Sequence, residues 1–403
     1  MDVINSTGSQ AQDQQGTHSS ASPRLRIAHI TTTAVGGGAA KVMLDLASAQ
    51  RAAGHEVLSI SIFPWTPPPA WFGAEHGDWN DIVHLDWRLR YDRPLNLWEA
   101  QRRLKVELEK FQPDVVHSHL WEADIVASLS IERHTCLHIA HLHNQELWKC
   151  SPAWKHRTRR SLTRSLYRRA NTRFLACAEA VKVYEARHMQ WPEGHIDVAQ
   201  NSVDSKRFHP RDQRQAGRLR IGSAGWFVER KGHSQLIAAV ATLASEGINL
   251  ELVIAGEGLL QGDYLRQAAD LGITDRLVLP GPVTDMVSFY QSLDIFALPS
   301  YEEGLALVVL EAMASGICVV ASAIDGMDEA VFPEVNGLLF SVGDQLSLVS
   351  ALRRVLVDGD LRSRMGTASR QIAIEKFSSA ESAKKVEMIY RRRLAERSSC
   401  RPH

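Results

Sequence analysis

The sequence predicts an α/β protein made of two doubly wound parallel-sheet domains that face each other across a cleft. Three observations predict it. Short runs rich in Val, Ile and Leu alternate with helical patterns of ~10–15 residues, the signature of βαβ units. That alternation breaks once, at the polar stretch HPRDQRQAGR (209–218), and then restarts. The chain has 403 residues, enough for more than one core, since domains typically hold ~100–200.

In order, residues 1–24 are polar and rich in Ser and Gln. They lack the apolar run of a signal peptide and read as a disordered tail. LRIAHI (25–30) reads as a strand, and TTTAVGGGAAKVMLDLASAQRAAGHEV as a glycine loop with an amphipathic helix ending near Gly54. Further strands are expected in EVLSISIF (56–63), PDVVHSH (113–119), CLHIAHLH (136–143), RFLACA (173–178) and HIDVAQNSVD (195–204). This first domain is assigned 25–208. The second, 209–378, opens on LRIGSAG (219–225). Its strands continue through LELVIAG (250–256), RLVLPGP (276–282), IFALPS (295–300) and CVVAS (318–322), with helices between. Residues 379–403 form a long basic helix and tail, expected to pack back on the first domain. In such sheets ligands bind beyond the carboxyl ends of the strands, and two facing domains add a cleft.

Bulk properties exclude several classes. Lys plus Arg and Asp plus Glu are both 46, so there is no global attraction to nucleic acid. Cys136, Cys150, Cys177, Cys318 and Cys400 are scattered without a CxxC pair. Neither a disulfide framework nor a structural zinc site is expected, and a reducing cytoplasm is the default. No apolar run approaches ~20 residues; the nearest, 305–324, is broken by Glu311 and Gly316.

The stretch SYEEGLALVVLEAMASG (300–316) sets two carboxylates, Glu303 and Glu311, in an otherwise apolar run. A buried carboxylate needs partners. The order strand, loop, helix places residues 303–307 at a helix N-terminus, where free amides and the helix dipole suit an anion such as a diphosphate. Eight residues of helix rotate ~80°, so both glutamates can border one groove. Carboxylates there suit the vicinal hydroxyls of a ribose or hexose, with those hydroxyls and backbone amides keeping the glutamates charged. His117 with His119, and His141 with His143, each share a strand face. No carboxylate or cysteine completes a usual ligand set, so no metal site is expected.

PSYEEGLALVVLEAMASGICVVAS resembles the donor-binding signature of family 4 retaining glycosyltransferases, with two glutamates separated by seven residues. GWFVERKGHSQLIAAV is similar to that family's diphosphate loop. LVIAGEG, NSVDSKRFHP, VNGLLFSVGD and the N-terminal GGGAAKVMLDLASAQRAAGHEV resemble its other motifs, in order, from residue 25 to about 390. The resemblance implies the GT-B fold, two Rossmann-like domains around a cleft. It also implies transfer of a hexose, with retention, from a UDP- or GDP-linked nucleotide sugar, with no cofactor and no metal. The acceptor would be a glycan, a lipid-linked or a small molecule, in polysaccharide or glycoconjugate biosynthesis. Carried over by residue, His143 and Glu303 would be catalytic. The donor site would comprise Gly37, Gly38, Arg230, Lys231, Val283, Gly304, Leu305, Ala306 and Glu311. Glu311 would take the ribose, Glu303 the transferred sugar and Lys231 the diphosphate.

The chain departs from the pattern at Trp226, where the family usually has Arg. Leu305-Ala306 stands for Phe-Gly, Cys318 for proline, Asp325-Gly326 for Gly-Gly and Ser202 for glycine. Two other readings follow: a non-catalytic scaffold on the same fold, motivated by Trp226 and Ala306, and a nucleotide-sugar epimerase. No pair of carboxylates flanking a scissile bond indicates a glycosidase. The basic segment 155–173 reads first as a solvated helix face. Its second reading is contact with an anionic membrane surface, which would place the protein peripherally on the inner face.

Overall fold

The computed structural model describes residues 23–33, 37–63, 81–87, 96–132, 135–212 and 217–399. Most of the expected N-terminal tail, residues 64–80, Gly36 of the glycine run and residues 213–216 of the polar connection lie outside the described residues.

The first lobe is a seven-stranded sheet. Its strands are β1 (Arg26–Thr31), β2 (Glu56–Ser61), β3 (Ile82–His84), β4 (Val115–His119), β5 (Leu137–Leu142), β6 (Arg173–Ala176) and β7 (Ile196–Val198). The spatial order is β3-β2-β1-β4-β5-β6-β7, with neighbouring strands parallel. Helices α1 (Gly38–Ala52), α2 (Asn96–Phe111), α3 (Trp121–Ser130), α4 (Trp154–Ala170) and α5 (Glu179–Met189) complete its crossovers. The second lobe is a six-stranded parallel sheet. Its strands are β8 (Leu219–Ala224), β9 (Leu250–Ala255), β10 (Leu277–Gly281), β11 (Ile295–Leu298), β12 (Cys318–Ser322) and β13 (Gly337–Phe340), in the order β10-β9-β8-β11-β12-β13. Its helices are α6 (His233–Ser245), α7 (Gln261–Asp270), α8 (Met286–Gln291), α9 (Leu307–Ala314), α10 (Gln345–Val357) and α11 (Gly359–Lys376). A last helix, α12 (Ser379–Ser399), follows.

The strand order reverses at β1/β4 in one sheet and at β8/β11 in the other. The crevice beyond a reversal is where doubly wound sheets bind ligands. β4, β5, β11 and β12 are buried along their whole length, because helices cover both faces. The sequence reading did not place strands at β3 and β13. β3 has only three residues, and GLLF of β13 has no alternation to mark it.

α12 leaves the second lobe and packs on the first. Val386, Ile389 and Tyr390 share a core with Ile27, Val115, Leu137 and Leu175. Arg393 Nε donates to Asp197 Oδ2 at 2.7 Å. One apolar cluster runs through both lobes, joining Leu142, Cys177 and Ala178 to Leu305, Ala306 and Met327. No helix among the described residues is long and apolar enough to cross a membrane.

Candidate active site

Between the lobes lies a cavity of about 430 Å³. Every site residue expected from the sequence lines it: Gly37, Gly38, His143, Arg230, Lys231, Val283, Glu303, Gly304, Leu305, Ala306 and Glu311. Such a cavity is within the range that holds a small molecule.

The floor comes from the second lobe. β8 ends at Ala224, and Gly225 turns the chain at φ 148, a conformation open to glycine. The loop then runs through Trp226 to Lys231. Gly232, at φ 67, brings the chain back so tightly that a Cβ there would meet Pro299 O at 2.0 Å. This tight return holds Lys231 beside the end of β11. Lys231 Nζ donates to Glu303 Oε1 at 2.6 Å, and Ser300 Oγ donates to the same oxygen at 2.8 Å. The backbone N–H of Tyr301 donates to Arg230 O at 2.8 Å and closes the second side of the loop.

α9 begins at Leu307, within the expected 303–307, with Ala306 as N-cap and no side-chain cap. Its first amides therefore have no intrahelical partner, and Leu305 to Val308 line the cavity. Glu303 sits in the loop rather than on the helix, so backbone path, not helical rotation, brings it to the cavity that Glu311 also lines. Glu311 is buried in the second turn and accepts from the Tyr290 hydroxyl at 2.9 Å. Burial raises its pKa, opposed first by Lys41 across the cleft. The sequence reading assigned ligand hydroxyls and backbone amides as the partners of both glutamates. Within the chain, Lys231 and Ser300 meet Glu303, and Tyr290 meets Glu311. A buried carboxylate needs donors, and in this fold side chains supply them.

The first lobe supplies the roof. Gly304 packs so closely beneath it that a Cβ would lie 2.4 Å from His143 O and 2.9 Å from Cys177 Sγ. Asn201 Nδ2 donates to Leu305 O at 2.7 Å. Glu329 of the second lobe accepts from Ala180 N at 2.9 Å and from Gln200 Nε2 at 2.7 Å. His143 follows β5, and burial pushes its pKa down to about 3, so the imidazole is neutral. Of the other three histidines singled out, His117 and His119 are fully buried and His141 nearly so.

Several cavity residues were not singled out by the sequence. Lys41 and Asn201 lie inside quoted motifs, but nothing local marked them as lining. Leu120 had no signal at all. It follows β4 as the N-cap of α3, at φ 76 and ψ 150, a region left almost wholly to glycine, and it lines the cavity, as His143 does. Trp226 also lines the cavity and is 42% exposed.

The family described as "Glycosyl transferases group 1" matches residues 204–372, and "Glycosyltransferase Family 4" matches residues 36–207. The D-inositol 3-phosphate glycosyltransferase of Arthrobacter sp. (strain FB24) is 29% identical over 366 residues, 83% of this chain and 85% of that protein. Sucrose-phosphate synthase from Thermosynechococcus elongatus shares the fold with TM-score 0.78 at 20% identity, over 92% of this chain and 100% of that one. Anabaena HepE, solved with UDP-glucose, does so with TM-score 0.75 at 19% identity, over 91% and 99% of the two chains. Both structures have the GT-B fold. Two family matches tile this chain from residue 36 to 372, and the ordered donor motifs meet in one interlobe cavity. The chain belongs to the family 4 glycosyltransferases, enzymes that move a sugar from a nucleotide-sugar donor.

Proposed function

We propose that this chain transfers a hexose, with retention, from a UDP-linked sugar to a glycan or lipid-linked acceptor in polysaccharide or glycoconjugate assembly. The observation that carries the reading is the mostly buried Lys231–Glu303 pair in one cavity with Glu311 and the uncapped start of α9. A diphosphate takes Lys231 and the α9 amides. Glu303, relieved of Lys231, turns to the hydroxyls of the transferred sugar. Glu311 takes the ribose, and Val283 borders the base. The leaving diphosphate gains negative charge in the transition state, where fixed dipoles and a cation stabilise it most. Lys231 and Arg230 supply that positive charge within the chain, so the reaction proceeds without a metal or other cofactor. The interlobe contacts at Gly304, Asn201 and Glu329 exclude water, which would otherwise compete as acceptor. The UDP-glucose held by HepE supports the choice of base.

A peripheral position on the cytoplasmic face of a membrane fits α4. Trp154 is 80% and Leu162 61% exposed on that helix, among Lys155, Arg157, Arg164 and Arg168. Such a surface suits anionic headgroups. Binding to anionic but not neutral vesicles, weakened by salt, is the expected result; equal failure with both removes this part of the reading.

Thermal unfolding with UDP, GDP or ADP tests the donor site. A ligand at ~100 times its dissociation constant adds about 2.7 kcal/mol, a rise of roughly 5–10 °C for a lobe of this size. UDP is expected to give that rise, and Glu311→Ala to abolish it. A rise with GDP alone reassigns the base. No rise with any nucleotide favours the non-catalytic scaffold, the second reading, to which Trp226 in place of Arg points.

A further inference from the structure

A chain of buried polar groups leads from α12 to His143. Tyr390 Oη lies 2.5 Å from His117 Nδ1 and 3.4 Å from Gln50 Nε2. Gln50 Oε1 lies 2.8 Å from His29 Nε2. His29 Nδ1 lies 3.1 Å from His119 Nε2, and His119 Nδ1 lies 3.1 Å from His143 Nε2. Tyr390, Gln50, His29 and His119 are all buried, and His143 lines the cavity.

Subsets of these nitrogens fall within 4.8 Å of one another, close enough to suggest a metal. The ring geometry argues against one. His141 stacks on His143 at 4.2 Å and 17°, and His117 on His119 at 4.4 Å and 26°. An ion lies in the plane of each imidazole that binds it, and near-parallel stacked rings have no common in-plane point. The nitrogens that face one another are instead at hydrogen-bond distance.

We propose that Gln50, His29 and His119 form a one-way hydrogen-bond relay that fixes the proton of His143 on Nε2 and presents Nδ1 to the cavity as an acceptor for a sugar hydroxyl. The proposal rests on the donor-site reading only for what Nδ1 meets; the proton order does not depend on it.

The direction follows from the far end. An O–H donor makes shorter hydrogen bonds than an N–H donor, so the short contact to His117 Nδ1 is donated by Tyr390. The tyrosine oxygen then accepts from Gln50 Nε2. That turns the Gln50 carbonyl to His29, and a carbonyl only accepts. His29 therefore carries its proton on Nε2. Burial drives the pKa of His29 down to about 4, of His143 to about 3, and of His119 well below the usual histidine value. Each ring is neutral and has one N–H, so His29 Nδ1 must accept from His119 Nε2. His119 Nδ1 must in turn accept from His143 Nε2. In this order each nitrogen–nitrogen contact has one donor and one acceptor. Tyr390, Gln50, His29 and His119 are positioning residues, acting through His143.

The test is the tautomer of His143 in the full chain, labelled with ¹⁵N-histidine and read from ring-nitrogen NMR at neutral pH. The His143 signals are assigned by their loss in His143→Gln. The wild type is expected to show a protonated Nε2 and a lone-pair Nδ1. Tyr390→Phe frees the Gln50 amide to turn, and both tautomers of His143 are expected. Adding Gln50→Glu to Tyr390→Phe supplies a carboxylate, which accepts whichever way it turns, and one tautomer is expected to return. A proton on Nδ1 in the wild type overturns the proposal, and that spectrum needs no core variant to fold. So does a single unaltered tautomer in Tyr390→Phe. UDP release from UDP-glucose reports separately on the donor-site reading. There, kcat should fall several-fold in Tyr390→Phe with little change in KM, and recover in the double variant. Absence of turnover in a wild type with the expected tautomer counts against the donor-site reading and leaves the relay standing.

Discussion

Lys231 Nζ lies 2.6 Å from Glu303 Oε1, and each side chain keeps only 11% of its surface exposed. One cation and one carboxylate, both drawn from donor motifs, thus satisfy each other across the place where a sugar diphosphate is proposed to sit. On the proposed reading a donor divides this pair, so each member can be tested through the other.

Glu303→Gln leaves Lys231 without a carboxylate. The freed ammonium is expected to tighten UDP about 3–10-fold, as expected for ~1 kcal/mol, while turnover of UDP-glucose falls. Lys231→Met should weaken UDP by ~10–100-fold, matching the loss of a charged hydrogen bond worth about 1.5–3 kcal/mol. Titration calorimetry with UDP reads both. Equal weakening in the two variants would show that the pair acts as one structural unit.

Gly304→Ala probes the contact between lobes. A Cβ would meet His143 O at 2.4 Å, and a backbone oxygen has little freedom to yield. Overpacking of this kind costs ~1–3 kcal/mol, a fall in midpoint of roughly 2–12 °C. Turnover should fall more than stability, by ~10²-fold, since displacement of about 1 Å misaligns reacting groups. A variant with wild-type turnover would remove the close approach from the mechanism.

Glu311→Gln separates stability from binding. Burial holds the folded pKa of Glu311 above its ordinary 4.5. A raised acid adds stability below its unfolded pKa and loses it as pH rises through the folded value. At pH 8 the wild type bears the cost of a buried charge, and the glutamine still accepts from Tyr290. The variant is expected to melt higher than wild type at alkaline pH, with no such gain below about 4.5. UDP affinity should nevertheless fall. Scanning calorimetry across pH checks the first claim and calorimetric titration the second.

Acid should destabilise the first lobe steeply. His29, His117, His119, His138, His141 and His143 all have folded pKa values lowered chiefly by burial. A lowered base adds stability above its unfolded pKa of 6.5, lost as pH falls through the folded value. Each contributes up to about 1.4 kcal/mol per pH unit below 6.5. The unfolding midpoint should therefore drop sharply between pH 6.5 and 4.5. Asp124 has the opposite sign. Burial raises it from 3.8 to about 7, so its contribution is lost as pH rises through that range, and Asp124→Asn should gain on wild type there.

Much of this protein could be read from one dimension. βαβ alternation identified both sheets, because a strand covered by helices on both faces must be a continuous apolar run, as β5 and β12 are. Donor residues were legible because their chemistry is local: glycines where backbone turns tightly, and a lysine one residue before such a glycine. β3 escaped because three residues hold too little pattern. Tyr290 escaped because a tyrosine in an apolar helix looks like core until a buried carboxylate is seen beside it.

The sequence by itself determined two parallel-sheet lobes, the family, and the identity of the residues that meet in the cleft. Only the tertiary structure decided how those residues are satisfied: Glu303 by Lys231, Glu311 by Tyr290, and His143 by His119, in a line of contacts reaching back to Tyr390. Residue type and spacing specify what a side chain can donate or accept. Which partner it meets depends on contacts between segments such as Gln50 and Tyr390, 340 positions apart, and only packing brings those together.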